Sequence, residues 1–392
     1  MTRPTATTLL RNARIVLPER IIENSSLLIR DGRIVSIVNF AGSHSLTADT
    51  AINLEGSTVF PGFIDVHIHG AVGVDTMECD AAGLGRISEF LARNGVTAWL
   101  PTLVPAPDAG YKRAISAIEA AMISTNGARI LGVHYEGPFV NSAQCGALRP
   151  QYFRTFSDPR DLDCLPMLSN PAAVHMMTIA PEIAGGIDLV HELKRRGWIV
   201  SIGHTRADFD VLDDASAAGA RHMTHFMNAM GTFHQRAPGP VGWGLLRDEV
   251  TCDVIADGVH LDRQALQLIL KIKGAQRLML ISDAIAAAGL GDGDYQIWGE
   301  SISVKNGQTR NERGNIAGSV ITLREAVRTM ESLAVAELER ALMASTNPAK
   351  LLGIDSDCGS IKKGKRADLV ALDAKGTIIF AMVDGAVSFS PA

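Results

Sequence analysis

The sequence predicts an α/β protein: a (β/α)8 barrel of the TIM type with a small β-sandwich domain formed from both chain ends. Three observations predict this fold. The middle of the chain alternates short apolar strands with amphipathic segments of helix length. Both ends carry short β-rich segments separated by turns. Polar residues of metal-binding type follow most of the middle strands, at the end where such a barrel places its active site.

The two chain ends share one pattern of short strands joined by turns. Asp31-Gly32 and Asp384-Gly385 each separate two β-rich runs, which is a hairpin signal. We expect the ends to fold together, giving a β-sandwich domain at 1–57 and 356–392 and a barrel at 58–355. The predicted strands of the ends are Thr8–Val16, Ser26–Arg30, Arg33–Asn39, Ala367–Asp373, Thr377–Val383 and Ala386–Phe389.

The middle of the chain contains eight candidate strands, which is the number that a closed barrel of this type requires. These strands are Gly62–His67, Ala98–Leu103, Ile130–Tyr135, Val174–Ile179, Ile199–Ile202, His222–Thr224, Val250–Ile255 and Leu278–Ser282. The helical stretches between them include Ala81–Arg93, Tyr111–Ser124, Gly186–Arg196 and Phe209–Ala218.

Composition excludes several classes of function. The chain has 392 residues, 46% of them hydrophobic, which is enough for a large core. A net charge of −5 gives no reason to expect a nucleic acid or a membrane as partner. The first eight residues lack the apolar core of a secretory signal, and no apolar run is long enough to span a membrane. Five scattered cysteines without a Cys-x-x-Cys pair are typical of reduced thiols in a cytoplasmic protein.

The first predicted barrel strand ends in His67 and His69. Residues i and i+2 of a strand point to the same side, so both imidazoles can face one point. Two neutral imidazoles at a strand end form half of a divalent-metal site. An isolated His-x-His is more often a pair of structural histidines, so the assignment depends on the residues downstream.

Further polar residues follow the other predicted strands. Taken alone, Glu136 is also compatible with a turn acid and Asp283 with a helix N-cap. Together they place one carboxylate, four histidines and a further aspartate at the same end of one barrel. Such a set suits two divalent cations that share a bridging carboxylate. The strand-end residues are His67, His69, Glu136, His204, His225 and Asp283.

These segments resemble the amidohydrolase superfamily and, within it, the N-acetylglucosamine-6-phosphate deacetylases. The resemblance covers nearly the whole chain. The combination of Glu-Gly-Pro, His-Phe-Met-Asn-Ala-Met and Ala-Asp-Gly-Val-His is the part most specific to the deacetylases. The matching segments are 61–70, 101–103, 134–138, 180–182, 203–204, 224–230, 236–239, 255–260, 282–284, 314–319 and 359–370.

The resemblance implies a role for each matching residue. Glu136, His204 and His225 match the ligands of the metal found throughout the family, and His67 and His69 match those of a second metal. Asp283 would be the general base and acid. The residues implied to bind substrate are Ala147, Asn228, Ala229 (through its backbone), Arg236, His260, Ile316, Ala317 and Gly318. One or two divalent ions are expected, with zinc favoured and iron, manganese or cobalt open. A homodimer is implied, with one phosphate-binding side chain reaching across the interface.

The implied reaction is hydrolysis of the acetamide of N-acetylglucosamine 6-phosphate to glucosamine 6-phosphate and acetate. A divalent metal lowers the pKa of bound water from about 16 towards 7, which supplies hydroxide at neutral pH. Asp283 would take the proton and pass it to the amine nitrogen as the tetrahedral intermediate collapses. Arg236 would offer a bidentate fork to the phosphate.

One departure leaves the sugar open. Where the family usually has histidine after Gly-Ala, this chain has Leu148. A lost hydrogen bond to a sugar hydroxyl would shift preference among sugars, so N-acetylgalactosamine 6-phosphate or a related acylated amino sugar remains an alternative. A cyclic-amide hydrolase is disfavoured because the fourth strand, 173–180, has no lysine to bridge two metals. A non-catalytic scaffold is disfavoured because the full ligand set is present.

Overall fold

The protein consists of a parallel β-barrel surrounded by helices and a second, mixed sheet built from both chain ends, which confirms the predicted fold class. The structure is a computed structural model and describes residues 7–39, 46–124 and 126–390. Residues 1–6, on which the expectation of no secretory signal largely rests, lie outside these ranges. Among the described residues, no helix combines the length and the apolar character needed to cross a membrane.

The barrel strands follow the predicted order around the sheet, and every neighbouring pair in the hydrogen-bonded ladder is parallel. Within the described ranges, the barrel strands are Phe63–Ile68 (β6), Val96–Leu103 (β9), Gly132–Glu136 (β11), Val174–Ile179 (β12), Ile199–Ile202 (β13), His222–Met223 (β14), Thr251–Ile255 (β15) and Leu278–Ile281 (β16). The third predicted strand, Ile130–Tyr135, is divided in the structure: Arg129–Ile130 (β10) pairs with β9, and β11 begins after Leu131.

The barrel closes between its first and last strands at the level of the candidate site. The backbone N–H of Asp283, just after β16, donates to the carbonyl of His67 in β6 at 2.9 Å. All residues of β9 are buried, as expected for a strand covered by side chains on both faces. The carboxyl ends of the eight strands therefore lie around one mouth, which is where the polar residues were predicted to meet.

Helices cover the outside of the barrel and begin at side-chain caps. Asp80, Asp208 and Asp262 each accept a backbone N–H in the first turn of a helix, and Thr322 forms a capping box with Glu325. The helices are Ala81–Arg93 (α1), Asp108–Ser124 (α2), Gly186–Arg195 (α3), Phe209–Ala217 (α4), Gly239–Leu246 (α5), Arg263–Lys273 (α6), Leu323–Ser332 (α7), Glu337–Ala341 (α8) and Asn347–Leu351 (α9), with a π-helical segment Leu342–Thr346. The first has its predicted bounds, whereas α5 to α9 go beyond the helices predicted.

The second sheet joins the two chain ends through β5, which lies between β1 and β20. The sheet curls so that Arg33, at the start of its edge strand, bridges to Arg366. Its strands are Thr7–Val16 (β1), Ile21–Arg30 (β2), Arg33–Asn39 (β3), Thr50–Asn53 (β4), Thr58–Pro61 (β5), Leu369–Leu372 (β20), Ile378–Val383 (β21) and Ala386–Phe389 (β22). The division into domains at 57/58 and 355/356 stays a prediction.

Two small antiparallel β-structures lie at the mouth of the barrel. A two-stranded ribbon, Gly70–Ala71 (β7) and Val74–Asp75 (β8), follows the first barrel strand. A three-stranded antiparallel sheet follows the last one and was not predicted. Its strands are Gly293–Ile297 (β17), Glu300–Lys305 (β18) and Gln308–Asn311 (β19).

Candidate metal centre and substrate cavity

The four histidines predicted as metal ligands surround Glu136, the fifth predicted ligand. Its Oε1 lies 2.9 Å from His204 Nε2 and 3.0 Å from His225 Nε2. Its Oε2 lies 3.3 Å from His69 Nε2. His67 is the most distant of the set, with Nε2 at 3.8 Å from Glu136 Oε1. One carboxylate thus stands between two pairs of imidazoles.

The donor atoms form two groups that share Glu136, and each is compact enough to hold a cation. The atoms of His67, His69 and Glu136 lie within 4.8 Å of one another, and so do those of Glu136, His204 and His225. All five side chains are buried. Imidazole nitrogens with a carboxylate are the donor set of divalent zinc and related transition metals, so the residues present fit the implied metal.

Asp283 lies next to the first group. Its Oδ1 is 3.2 Å from His69 Nε2 and 3.4 Å from His67 Nε2. Burial raises the pKa of the Asp283 carboxyl, but the neighbouring imidazoles His67 and His69 outweigh this effect and leave the pKa below its ordinary value. Asp283 therefore favours the carboxylate form, which can accept a proton.

The two carboxylates make the cluster attractive to positive charge. Burial lowers the pKa of His69, but hydrogen bonds to Asp283 and Glu136 raise it to about 10. His225 shows the same balance: burial lowers its pKa, and the hydrogen bond to Glu136 raises it to about 9. The field that stabilises an extra proton here also stabilises a divalent cation.

His204, His225 and Asp283 have a left-handed backbone two residues after a strand ends, and Ala229 has one farther along the loop after β14. The φ angles are 48° at His204, 33° at His225, 50° at Asp283 and 49° at Ala229. Residues with a Cβ rarely adopt this conformation, and where they do it is common for the strain to belong to a functional site. The sharp turn at each strand end points the side chain into the mouth of the barrel.

Contacts behind the ligands fix their orientation. The Nδ1 atom of His204 lies 2.7 Å from the carbonyl of Gln144, and that of His69 lies 3.3 Å from the carbonyl of Thr102. Because Nδ1 faces a carbonyl in each case, Nε2 is the nitrogen that would exchange its proton for a metal. Both Nε2 atoms are the ones that approach Glu136.

Glu182 ties together the loops around His204, a function that sequence reasoning missed. Its Oε2 accepts the hydroxyl of Thr205 at 2.6 Å, and its Oε1 accepts the side-chain amide of Asn141 at 2.8 Å. Asn141 in turn donates its backbone N–H to the carbonyl of His204 at 3.1 Å. The segment 180–182 was noted only as a matching motif, and nothing in its residue types indicates a loop anchor.

A cavity of about 240 Å³ opens above the metal centre. Six of the eight residues predicted to bind substrate line it: Ala147, Asn228, Ala229, His260, Ile316 and Gly318. Ala317 is fully buried and does not line it. Arg236 is exposed on the loop 231–238 and lies outside the lining. Leu148 lines the cavity at the place of the usual histidine.

His260 is oriented by a neighbouring acid. Its Nδ1 lies 2.7 Å from Asp257 Oδ2, and Asp257 also accepts the backbone N–H groups of Val259 and His260. Burial raises the pKa of Asp257, but the hydrogen bond to His260 outweighs it and keeps the pKa low. The Nε2 atom of His260 is left for a ligand in the cavity.

Trp298 and Asn315 also line the cavity, and neither was predicted. Both belong to the region of the added three-stranded sheet, outside the repeating strand and helix pattern. Asn315 donates its side-chain amide to the carbonyl of Gly146 at 2.8 Å, and Arg313 donates to the carbonyl of Ala147 at 2.7 Å. The added sheet therefore braces the loop that carries Leu148.

Comparison with known proteins places this geometry among hydrolases. The amidohydrolase family model matches residues 58–391. The chain is 34% identical over 391 residues to an N-acetylglucosamine-6-phosphate deacetylase of Bacillus subtilis (strain 168), covering 97% of each chain. It is 35% identical over 370 residues to an N-acetylgalactosamine-6-phosphate deacetylase of Escherichia coli O157:H7, covering 94% of this chain and 96% of that one. The structure is similar to that of an N-acetylglucosamine-6-phosphate deacetylase from Pasteurella multocida, with a TM-score of 0.89, 29% identity and coverage of 97% and 99%.

Proposed function

The chain belongs to the amidohydrolase family, and we propose that it hydrolyses the acetamide of N-acetylglucosamine 6-phosphate to glucosamine 6-phosphate and acetate. The observation that carries this proposal is the position of Glu136 between two pairs of histidines, with Asp283 beside them at the mouth of the cavity. The similarity to deacetylases over nearly the whole chain supports the substrate class.

The metal centre supplies the first requirement of amide hydrolysis. Divalent cations held by His67, His69, Glu136, His204 and His225 would acidify water and polarise the amide carbonyl. Zinc is the proposed metal because the donors are imidazoles and a carboxylate. The five-residue cluster is buried, so the polar chemistry takes place with little competition from bulk water.

Asp283 carries the proton. Its carboxylate lies beside His67 and His69, where the attacking water must lose a proton to reach the amide carbon. The water oxygen bonds to that carbon, the C–N bond then breaks, and the proton held by Asp283 passes to the leaving nitrogen. The products are a carboxylic acid and an amine, and transfer of the remaining acid proton to the amine gives acetate and an ammonium group, so atoms and charge balance.

The phosphate is proposed to bind at the end of the cavity formed by Asn228, Ala229 and His260. Asn228 offers a side-chain amide, Ala229 a backbone N–H, and His260 an imidazole held by Asp257. Arg236 would add a bidentate guanidinium. Because Arg236 does not line the cavity of its own chain, we propose that it serves the cavity of a second copy.

A homodimer is proposed on the apolar surface next to Arg236. The exposed side chains Phe233, Leu246, Leu268 and Ile272 border an apolar groove of about 710 Å³. Phe233 and Pro238, which flank Arg236 in sequence, both line this groove. A second copy seated here would cover the apolar surface and bring its Arg236 loop near a neighbouring cavity. We propose a cytoplasmic location because all five cysteines are free.

A second candidate substrate is N-acetylgalactosamine 6-phosphate. Leu148 supports this alternative, because it places an apolar side chain where a polar contact to the sugar is usual. In addition, one relative of similar identity is named an N-acetylgalactosamine-6-phosphate deacetylase. The two sugars differ in the orientation of one hydroxyl, so the acetamide chemistry is the same for both.

The test is steady-state deacetylation by the metal-loaded protein, followed by acetate release. The substrates are N-acetylglucosamine 6-phosphate, N-acetylgalactosamine 6-phosphate and unphosphorylated N-acetylglucosamine. The expected result is the highest kcat/KM with the glucosamine phosphate and a large loss without the phosphate. Preference for the galactosamine phosphate would select the second candidate. No acetate from any of the three would overturn the proposed function.

A further inference from the structure

Trp298 forms one wall of the cavity, and the hydrolytic steps give it no role. Its ring is nearly perpendicular to that of His69, with centroids 5.3 Å apart and an interplanar angle of 84°. The side chain is only 9% exposed. An apolar wall of this size beside a metal ligand bounds the space in which the reacting group must fit.

The backbone of Trp298 is held in place by a strained turn. Trp298 and Gly299 connect β17 to β18 with φ angles of 55° and 75°. Left-handed backbone is rare for a bulky residue and persists where the surrounding structure enforces it. Arg149 contributes by donating to the Trp298 carbonyl at 3.1 Å. The ring is therefore a fixed wall.

The indole N–H of Trp298 makes no hydrogen bond to Asp75: within the described part of the chain, Trp298 Nε1 and Asp75 Oδ2 are both buried without a hydrogen-bond partner. Burial raises the pKa of the Asp75 carboxyl to about 6, and the nearby indole of Trp298 is one of the weaker influences that work against this rise. Asp75 lies in β8, on the ribbon that follows His69.

Trp298 and Ala229 lie at different ends of the cavity. At one end, His204 contacts Oε1 of Glu136. Ala229 lies near His204, because a Cβ built on Gly146 would be 3.6 Å from His204 and 3.7 Å from the Ala229 side chain. His69 contacts Oε2 of Glu136 and has Trp298 beside it. The Ala229 end and the Trp298 end of the cavity thus lie on opposite sides of the Glu136 carboxylate.

We propose that Trp298 sets the length of the acyl group that the enzyme removes. This inference rests on the proposed function, which places the sugar phosphate at the Ala229 end and the amide carbon over the metal centre. The acyl chain extends from that carbon away from the sugar nitrogen, towards the Trp298 end. An acetyl methyl group fits in front of the ring, and a longer chain collides with it.

The test compares kcat/KM for the N-acetyl, N-propionyl and N-butyryl forms of glucosamine 6-phosphate. The variants are Trp298→Ala, Trp298→Leu and Trp298→Phe, each checked for metal content and thermal unfolding. We expect Trp298→Ala to raise the butyryl-to-acetyl ratio at least about tenfold, since one or two methylenes in an apolar pocket carry discrimination of that size. Trp298→Leu should give a smaller rise, and Trp298→Phe, which keeps most of the wall, should stay near the wild-type ratio.

An unchanged ratio in both Trp298→Ala and Trp298→Leu, with all three substrates losing activity alike, would overturn the inference and leave Trp298 a structural residue. If the alanine variant loses its metal or its fold, the leucine variant decides. Leu148→Ala is the matched control at the other apolar wall: it should change the discrimination between sugars and leave the acyl ratio unaltered. Failure of the proposed function is detected separately, in the wild-type protein. If the wild-type protein releases no carboxylic acid from any of the three N-acyl substrates, the proposed function is wrong, and so is the inference that rests on it.

Discussion

Asp283 and His67 are joined twice: the backbone N–H of Asp283 donates to the His67 carbonyl at 2.9 Å, and the two side chains approach to 3.4 Å. The same pair therefore closes the barrel and brings the proposed proton carrier to the first histidine of the metal centre. Because the backbone contact does not involve the carboxylate, the side chain of Asp283 can be changed without opening the barrel.

Replacing Asp283 with Asn should reduce kcat by at least about a hundredfold, because an amide cannot accept the proton that general-base catalysis requires. Metal content, measured by elemental analysis after dialysis, should stay at the wild-type level, since the five ligands are intact. Near-wild-type turnover in this variant would remove Asp283 from the mechanism.

Substitution of the proposed ligands should lower the metal content by one ion for each ligand group that is disrupted. We expect about two ions per chain in the wild-type protein, as in two-metal hydrolase sites. His67→Asn with His69→Asn should leave one, held by Glu136, His204 and His225. Glu136→Ala should lose both, because this carboxylate belongs to each group. Loss of a single ion in Glu136→Ala would show that the groups do not share it.

Arg236→Ala should raise KM for the phosphorylated substrate at least about tenfold, the usual consequence of removing a charge-assisted pair. The unphosphorylated analogue should be affected far less. Equal effects on both substrates would contradict the phosphate role.

The position of Arg236 outside its own cavity gives a sharper version of this experiment. Co-expression of Arg236→Ala with Asp283→Asn creates mixed dimers in which one cavity has an intact Asp283 and a partner with an intact Arg236. At a substrate concentration well below the KM of Arg236→Ala, more activity than either variant has alone is expected. Its absence, in dimers shown by ultracentrifugation to have formed, would place Arg236 in its own chain's site or in none.

Leu148→His should shift the substrate preference towards N-acetylglucosamine 6-phosphate, because the deacetylases that this chain resembles usually have histidine at this position. The expected change in the ratio of kcat/KM between the two sugar phosphates is about 5- to 30-fold, equivalent to one hydrogen bond of about 1–2 kcal/mol. Leu148→Met keeps the wall apolar and serves as the control. A ratio unmoved by histidine would mean that this wall does not contact the sugar hydroxyl.

Lys273 gives a prediction on stability that is separate from catalysis. Its ammonium is fully buried and donates to the carbonyls of Gly244 at 2.8 Å and Arg247 at 2.6 Å, at the end of α5. Lys273→Met leaves both carbonyls without this donor and should lower the free energy of unfolding by about 2–3 kcal/mol. Exposed Lys271, on the same helix, is the control: Lys271→Met should change the free energy of unfolding by no more than about 0.5 kcal/mol. Denaturant titration measures both, and equal values for the two variants would contradict the prediction.

The regular parts of the fold were predictable because their patterns are periodic. Val174–Ile179 and Ile199–Ile202 are short, mostly apolar runs, and both have their predicted bounds. Helix α5 was missed because its sequence contains three glycines, which lower helix propensity. Packing requires one of them: a Cβ on Gly244 would lie 2.5 Å from the Met223 sulfur.

The proposed metal ligands could be listed from the sequence because strand ends converge in a barrel, whereas the walls of the cavity could not. Trp298 lies in the turn of a small antiparallel sheet whose partly exposed strands, rich in polar residues, do not follow the strand and helix repeat of the barrel. The left-handed backbone at His204 and His225 is likewise hidden, because no glycine or asparagine marks those positions. These features arise from tertiary contacts and not from local preference.

The position of β5 between β1 and β20 has a consequence for synthesis of the protein. Until the last part of the chain leaves the ribosome, β5 has no partner on one side and presents an unpaired strand edge, which is a template for association with other chains. A chain that stops before residue 369 keeps every proposed metal ligand and Asp283 but retains this open edge. Premature termination should therefore yield aggregated protein in place of a smaller working enzyme.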